Sequence, residues 1–181
     1  MKLSAQTFKK IQKGFTLIEL LVVIAVIGVL ATIVLLAVNP AEQLARGRDT
    51  SRISAITQVG RALQGYYTVQ NPAAYPTVGT AWMTTLVTSG DLKTAPTNPA
   101  YSGAVTACNA VATQGQNNYC YNTGVETLVF ARLESSLYTG KCGGTTVPFW
   151  VFSAGNAKAC GVCTANATTD PAVTSTIACS F

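Results

Sequence analysis

Residues 13–38 read KGFTLIELLVVIAVIGVLATIVLLAV, and this stretch decides how the rest of the chain is interpreted. From Leu20 to Val38 the only residues that are not aliphatic are Gly28 and Thr32. These nineteen residues, at about 1.5 Å each in a helix, span roughly 29 Å, which matches the hydrocarbon core of a bilayer. The stretch therefore predicts a membrane-spanning helix.

An acidic residue, Glu19, lies at the start of this apolar segment. An isolated carboxylate in a membrane helix costs on the order of 3 kcal/mol, so such a residue points to a function. Its own helix offers no cation within one turn, but cleavage between Gly14 and Phe15 would create one, the amino group of Phe15. That amine could meet Glu19 within one helix or, between neighbouring helices, fix their register.

The run GFTLIE at residues 14–19, preceded by Lys13, resembles the processing site of type IV prepilins and pseudopilins. In that family a short basic leader ends in Gly, and the mature chain begins with Phe and carries Glu at its fifth position. The resemblance implies that a membrane-embedded prepilin peptidase cleaves after Gly14 and methylates the amine of Phe15. It also implies that Glu19 neutralises the N-terminus of a neighbouring subunit, so that Phe15 and Glu19 act in assembly.

The same resemblance implies the partners of the chain. They are other pilin subunits in a homo-oligomeric filament, the prepilin peptidase, a pilus assembly platform and, before assembly, the membrane. We expect no cofactor. Pseudopilins of type II secretion often carry a calcium site built from acidic residues late in the domain, but only Glu134 and Asp170 follow Leu133 here, so we expect no metal site.

The formal net charge of +5 arises mostly before the apolar segment, because four of the twelve basic residues precede Gly14. Residues 15–181 carry eight basic and seven acidic side chains, a net of +1, so the charge gives no support to a nucleic-acid partner. The basic residues before the span are Lys2, Lys9, Lys10 and Lys13.

These lysines favour a cytoplasmic N-terminus, and all six cysteines follow the span, as expected for a domain in an oxidising compartment. We therefore expect a single-pass protein of the inner (cytoplasmic) membrane before assembly, and the resemblance implies an extracellular filament at the cell surface afterwards. A conventional secretory signal has a shorter apolar region and a cleavage site that is not evident before Asn39. A plain signal anchor remains an alternative, but it leaves Glu19 without a role.

The chain divides into four expected segments. Residues 1–14 form a leader, residues 15–38 the transmembrane and filament-core helix, residues 39–70 the amphipathic part of the stem helix, and residues 71–181 a globular domain with an αβ-loop and a sheet. Three residues, Gly28, Asn39 and Pro40, are the expected weak points of the helix.

The segment 41–70 shows apolar residues at helical spacing, which predicts a face packed against the globular domain. The stripe consists of Ile53, Ile56, Gly60, Leu63 and Tyr67, with Val59 and Tyr66 at its margin. Two charged pairs, Glu42 with Arg46 and Asp49 with Arg52, are spaced to interact along the polar side.

Residues 71–181 predict an antiparallel sheet, because strand candidates follow one another without a long helix between them. The candidates are residues 118–122, 127–133 and 147–152, and residues 81–89 predict a short helix closed by Gly90. The expected fold class is thus α+β, a type IV pilin-like long N-terminal helix on a small antiparallel sheet. The tail from 154 to 181 predicts no order of its own and is expected to be held by disulfides.

An even number of cysteines after the span predicts structural disulfides, although six cysteines allow fifteen pairings. Sequence proximity suggests Cys108 with Cys120, Cys142 with Cys160, and Cys163 with Cys179, and leaves the other pairings open. The four cysteines late in the chain resemble the disulfide-bounded C-terminal loop of many pilins. The sequence Cys160-Gly-Val-Cys163 has the spacing of a redox motif, but its surroundings lack the alternating strands and helices of thioredoxin-like proteins.

The chain contains no histidine, which excludes Ser-His-Asp and Cys-His catalysis and zinc sites of the two-histidine type. The predicted function is therefore not enzymatic. The resemblance implies instead a structural subunit of a type IV pilus-like filament serving adhesion, motility or DNA uptake, and the alternative is a pseudopilin of a type II secretion or competence system. From other classes, a DNA-binding competence pilin and a membrane-anchored thiol oxidoreductase remain open to simple assays.

Overall fold

The structure is a computed structural model that describes residues 14–103, 108, 115–144, 146–165, 171 and 178–181. Contact clustering divides the chain into two compact units, the first ending at Pro40 and the second beginning at Ala41. Each unit is described by itself.

The first unit contains helix α1, Leu17–Ala37. Its segment Leu17–Leu35 has a mean hydropathy of 3.0, and none of that segment is buried. Within the described residues it is the one helix long and apolar enough to cross a membrane. Apolar residues surround α1 on all sides because the sequence offers no polar face, which is the composition of a membrane span.

Helix α1 ends at Ala37, and Val38 has the extended backbone angles φ −99° and ψ 109°. Helix α2, Pro40–Val69, begins at the proline itself. A proline fits the first turn of a helix, where its missing amide hydrogen would have no partner, and it disfavours helical geometry in the preceding residue. The sequence Asn39-Pro40 therefore ends one helix and starts the next.

The second unit holds a five-stranded antiparallel sheet in the order β1-β2-β3-β4-β5. Its strands are β1 Gly115–Gln116, β2 Tyr119–Thr123, β3 Thr127–Arg132, β4 Val147–Ser153 and β5 Lys158–Thr164. Helix α3, Trp82–Ser89, precedes the sheet, and a short helix α4, Ser136–Lys141, lies between β3 and β4. The α+β class and the antiparallel sheet predicted from the sequence are confirmed.

The sheet has an apolar layer on each face, since side chains alternate along a strand. One layer joins Tyr121, Val129 and Phe152 to helices α2 and α3, and the other contains Cys120, Leu128 and Phe130. In the first layer, the rings of Trp82 of α3 and Tyr121 of β2 stack with centroids 4.7 Å apart, and this contact joins α3 to the sheet.

Helix α2 contributes Ile56, Val59 and Leu63 to this core, all three fully buried. Val59 is thus at the centre of the stripe and not at its margin, while Tyr67 is exposed and Ile53 half-buried. A methyl group placed on Gly60 would overlap the ring of Phe152. The helix and strand β4 therefore approach so closely at Gly60 that no side chain fits.

Helix α3 and strands β2, β3 and β4 lie where the sequence predicts them, within one residue at most ends. Gly90 closes α3 at φ 87°, a backbone conformation that favours glycine. The expectation for residues 154–181 was wrong for 158–164, because this segment forms strand β5 at the edge of the sheet. Alanine, glycine and cysteine dominate β5, so its sequence lacks the bulky β-branched pattern that marks a strand.

Candidate processing and assembly segment

The start of helix α1 is fixed by two residues, Thr16 and Glu19. Thr16 is the N-cap, with extended angles φ −84° and ψ 152°. Its hydroxyl oxygen accepts a hydrogen bond from the backbone amide of Glu19 at 3.3 Å. In return Glu19 Oε2 accepts from both the amide and the hydroxyl of Thr16, each at 2.8 Å. This reciprocal arrangement is a capping box, which satisfies donors that the first turn of a helix leaves free.

The capping box gives Glu19 local partners that the sequence analysis did not foresee. Both hydrogen bonds that reach the carboxylate within the described residues end on Oε2 and come from Thr16. Neither donor carries a charge, so the negative charge of Glu19 is hydrogen-bonded but not neutralised. The pattern Thr-x-x-Glu before an apolar run is the signal that could have identified Thr16.

Gly14 and Phe15 precede the helix and have no regular secondary structure. Phe15 is 87% exposed, and Gly14 is exposed as well. The described part of this junction is therefore exposed and outside regular secondary structure. Lys13 and the other leader lysines lie outside the described residues.

The surface of α1 is an unpartnered apolar cylinder. Its large hydrophobic side chains are exposed along the whole helix, from Leu17 at 83% to Val23 at 48%. An apolar surface of this extent requires lipid or other apolar helices around it. Glu19 is the only acidic residue on this helix.

Gly28 lies within α1, which remains continuous there. The hydroxyl of Thr32 donates to the carbonyl oxygen of Gly28 at 2.9 Å, so this polar side chain is satisfied within the helix. The interruption of the helix falls instead at Val38 and Asn39, directly before Pro40.

A second cluster of charges anchors helix α2 within the globular unit. Arg52 is fully buried; its guanidinium lies 2.8 Å from Asp49 Oδ1 and 2.9 Å from Glu134 Oε1. Arg48 Nε approaches the same oxygen of Glu134 at 2.6 Å. Tyr101 contributes a ring 3.9 Å below the guanidinium carbon of Arg52. Two arginines and two carboxylates thus balance in charge.

Asp49 and Arg52 were expected to pair along the polar side of the helix, and in the structure this pair is part of the buried cluster. The two residues do pair, but both side chains are 0% exposed. The carboxylate of Asp49 also accepts hydrogen bonds from the backbone amides of Glu134, at 3.0 Å, and Ser135, at 2.8 Å. Helix spacing predicts the pair, whereas Glu134 lies more than eighty residues away and no local pattern connects it to α2.

Hydrogen bonding sets the acidity of two carboxylates in this region. Burial alone would raise the pKa of Glu134, but hydrogen bonds from Arg48, Ser102 and Arg52 outweigh it and lower the pKa to about 2. The backbone amide of Ser136, at the start of α4, donates to Glu42 and lowers the pKa of Glu42 to about 2. Glu42 also pairs with Arg46 at 3.0 Å, as the helical spacing predicts. Both carboxylates therefore stay ionised in all but strongly acidic solution.

Three disulfides lie in the globular unit. Cys108 bonds to Cys120, as sequence proximity suggested. The other two suggested pairs were wrong, because the structure joins Cys142 to Cys163 and Cys160 to Cys179. Cys160 and Cys163 are three positions apart on strand β5, so their side chains point to opposite faces and cannot bond to each other. The two cysteines of the Cys-x-x-Cys sequence thus belong to two separate structural disulfides.

Residues 9–35 match the family described as the prokaryotic N-terminal methylation motif. This motif is the class III signal peptide of type IV pilins and pseudopilins, and the family resemblance predicted from the sequence is confirmed. The matched segment is 27 of the 181 residues long, and it supports a precursor of the type IV pilin or pseudopilin type. No curated protein and no solved structure matches the chain.

Proposed function

We propose that this chain is the precursor of a structural subunit of a type IV pilus-like filament. Prepilin peptidase cleaves it between Gly14 and Phe15 and methylates the new amine of Phe15. The observation that carries the proposal is the methylation motif at residues 9–35, which precedes and enters an apolar helix with no buried surface. A single acidic residue, Glu19, lies at the start of that helix.

Each segment has a place in this proposal. Residues 1–14 are the removed leader, residues 15–38 first span the inner membrane and then form the filament core, residues 39–70 continue the stem, and residues 71–181 coat the outside. The N-terminus faces the cytoplasm before assembly. Three disulfides within the globular unit suit a domain that ends outside the cell, since such bridges persist in oxidising surroundings.

Removal of residues 1–14 places a positive amine beside the capping box of Thr16 and Glu19. Within one subunit, that amine lies one residue before Thr16, whose amide and hydroxyl both donate to Glu19 Oε2. A neighbouring subunit presents the same amine at the same depth in the apolar core. Because a charge in an apolar bundle is tolerated only against an opposite charge, the pairing of Phe15 and Glu19 between subunits sets their axial register.

Lipid is as apolar as leucine, so the exchange of lipid for helix contacts supplies little free energy. Close packing of the α1 helices contributes part of the stability, and an assembly platform with a motor supplies the work of extraction.

The test is made in a host that possesses prepilin peptidase and a pilus assembly platform. Sheared surface filaments are imaged by electron microscopy, and the subunit within them is analysed by mass spectrometry of its N-terminal peptide. We expect filaments whose subunit begins at Phe15 and carries one methyl group. A subunit that retains Met1, or one that begins at another residue, would refute the processing step.

Filaments seen only when the chain is overproduced together with a secretion system would favour the alternative, a pseudopilin of a type II secretion or competence system. Surface filaments formed at natural abundance favour the pilus.

A further inference from the structure

A pocket of about 530 Å³ opens at the far end of helix α2 from Pro40, and we name it the Tyr67 pocket. The last turns of α2, the β2–β3 turn and the β4–β5 turn form its walls. Its volume falls within the range of small-molecule sites, roughly 300–1,000 Å³. The walls include Gln64, Tyr67, Thr68, Tyr75, Glu126 and Asn156.

One wall is a flat aromatic surface. The rings of Tyr67 and Tyr75 stack with centroids 4.5 Å apart and an interplanar angle of 27°. Tyr75 is half-buried and supports Tyr67, which is 39% exposed. An exposed ring held in place by a second ring offers a rigid apolar face at little cost in conformational entropy.

The pocket lining also includes a carboxylate, that of Glu126. Glu126 Oε1 accepts a hydrogen bond from the side-chain amide of Asn156 at 2.6 Å. A carboxylate oxygen can accept more than one hydrogen bond, so Oε1 has capacity for a second donor from a ligand. Glu126 Oε2 is buried and therefore out of the reach of a ligand.

The charged side chains that line the pocket limit the class of ligand that it can bind. Neither Lys nor Arg is found among the described residues that line it, so phosphate groups and nucleic acids have no counter-charge there. Besides Glu126 and the two tyrosines, its hydrogen-bonding side chains are neutral amides and hydroxyls, those of Gln64, Thr68, Thr127 and Asn156. In the described part of the chain no three His, Cys, Asp or Glu side chains come together, so Glu126 has no companions for a metal ion.

The lining combines two stacked aromatic rings, neutral amides and a hydrogen-bond-accepting carboxylate, and these groups complement a ring with an apolar face and hydroxyl donors on its edge. We propose that the Tyr67 pocket binds a carbohydrate of the hexose class, its ring face on Tyr67 and one hydroxyl donating to Glu126 Oε1. This site lies wholly within the globular unit, so the proposal does not depend on processing or filament assembly.

The test uses the full chain in a polyoxyethylene detergent, whose head group contains no sugar and no ammonium. Saturation-transfer difference NMR is recorded with glucose, galactose, mannose and N-acetylglucosamine, and separately with tetramethylammonium chloride. We expect saturation transfer to the ring protons of at least one of the sugars. No transfer to any of them would overturn the proposal, and transfer to tetramethylammonium alone would overturn it in favour of a cation site.

Four variants locate the site. Tyr67→Ala removes the aromatic wall and Glu126→Gln replaces an acceptor oxygen by an amide, so each should weaken sugar binding by about tenfold or more. Tyr67→Phe keeps the ring and should bind nearly as the parent does. Tyr138→Ala is the matched control, because Tyr138 also stacks on an aromatic ring, that of Phe181, but does not line the pocket. Equal binding by the parent and Tyr67→Ala would place the sugar elsewhere and overturn the proposal.

Discussion

Glu19 Oε2 accepts hydrogen bonds from both the backbone amide and the hydroxyl of Thr16, each at 2.8 Å, and so closes the first turn of helix α1. The carboxylate that we propose as the partner of a neighbouring amine is therefore already oriented within its own subunit. The capping hydrogen bonds fix the orientation of the Glu19 side chain. In our proposal the amine of a neighbouring subunit neutralises its charge.

The first prediction concerns that charge. Glu19→Ala should leave cleavage after Gly14 intact, because the junction itself is unchanged, but should reduce surface filaments strongly, since the amine of Phe15 loses its counter-charge. Filament yield by electron microscopy and the N-terminal mass give the two readouts. Asp91→Ala is the matched control, because it removes a carboxylate of the globular unit, and it should form normal filaments. Normal filaments from Glu19→Ala would show that the pairing is not needed.

The second prediction concerns the junction. Gly14→Asp places a charged side chain at the exposed residue before the cleavage point and should block processing. Immunoblots would show the uncleaved chain accumulating in the membrane fraction. Gly79→Asp, a change at another glycine with open space around it, should be processed as the parent is. A mature chain from Gly14→Asp would contradict the proposed recognition of this residue.

The third prediction concerns the buried charge cluster. Arg52→Met keeps most of the side-chain volume but leaves Asp49 and Glu134 without their shared cation, and should lower the free energy of unfolding by about 3–5 kcal/mol. Arg46→Met removes the exposed partner of Glu42 and should cost less than about 1 kcal/mol. Urea unfolding in detergent, followed by tryptophan fluorescence, measures both. Equal losses in the two variants would mean that burial of Arg52 has no energetic consequence.

The fourth prediction is a pH dependence. The pKa of Glu134 in the folded chain is lowered to about 2 from an ordinary value of 4.5, so the folded state binds fewer protons than the unfolded state between these values. The contribution of Glu134 to stability is complete above pH 4.5 and is lost as the pH falls towards 2. Urea midpoints measured from pH 7 to pH 2 should fall in that window. The fall should be smaller in Glu134→Gln, and an unchanged slope in that variant would assign the acid sensitivity elsewhere.

The fifth prediction uses two glycines of the same helix. Gly60→Ala drives a methyl group into the ring of Phe152 and should destabilise the domain by about 1–3 kcal/mol. Gly47→Ala meets no atom within 4 Å and should stabilise α2 by up to about 1 kcal/mol, as alanine does in an exposed helix. Thermal unfolding of the two variants side by side gives opposite shifts. A shift of the same sign in both would show that the helix–sheet approach at Gly60 is looser than described.

Local patterns were enough to predict most of the secondary structure. The apolar run predicts α1, and the Asn39-Pro40 sequence marks where α1 gives way to α2. Segments separated by glycine-containing turns predict β2, β3 and β4. The exposed Gly14–Phe15 junction and Glu19 were also identified from a short motif. These features depend on residues close in sequence, so they can be predicted from the amino-acid sequence alone.

Other features depend on residues far apart in sequence. Glu134 joins Arg52 across more than eighty residues, and the pairing of Cys142 with Cys163 follows from the two faces of strand β5. Sequence distance misassigned two of the three bridges, because a disulfide requires that two cysteines lie close in space with their side chains pointing towards each other.

Features that the sequence determines and features that only the tertiary structure determines differ in the distance along the chain over which residues interact. A continuous apolar run, a short N-terminal motif and a proline are features of neighbouring residues, and they determined the apolar helix α1 and the place where it ends. Packing between distant segments decides which charges are buried and which cysteines form disulfides. It also decides whether β5 pairs at the edge of the sheet. Only the folded sheet against α2 decided those, since burial and face are properties of the assembled core and not of any one segment.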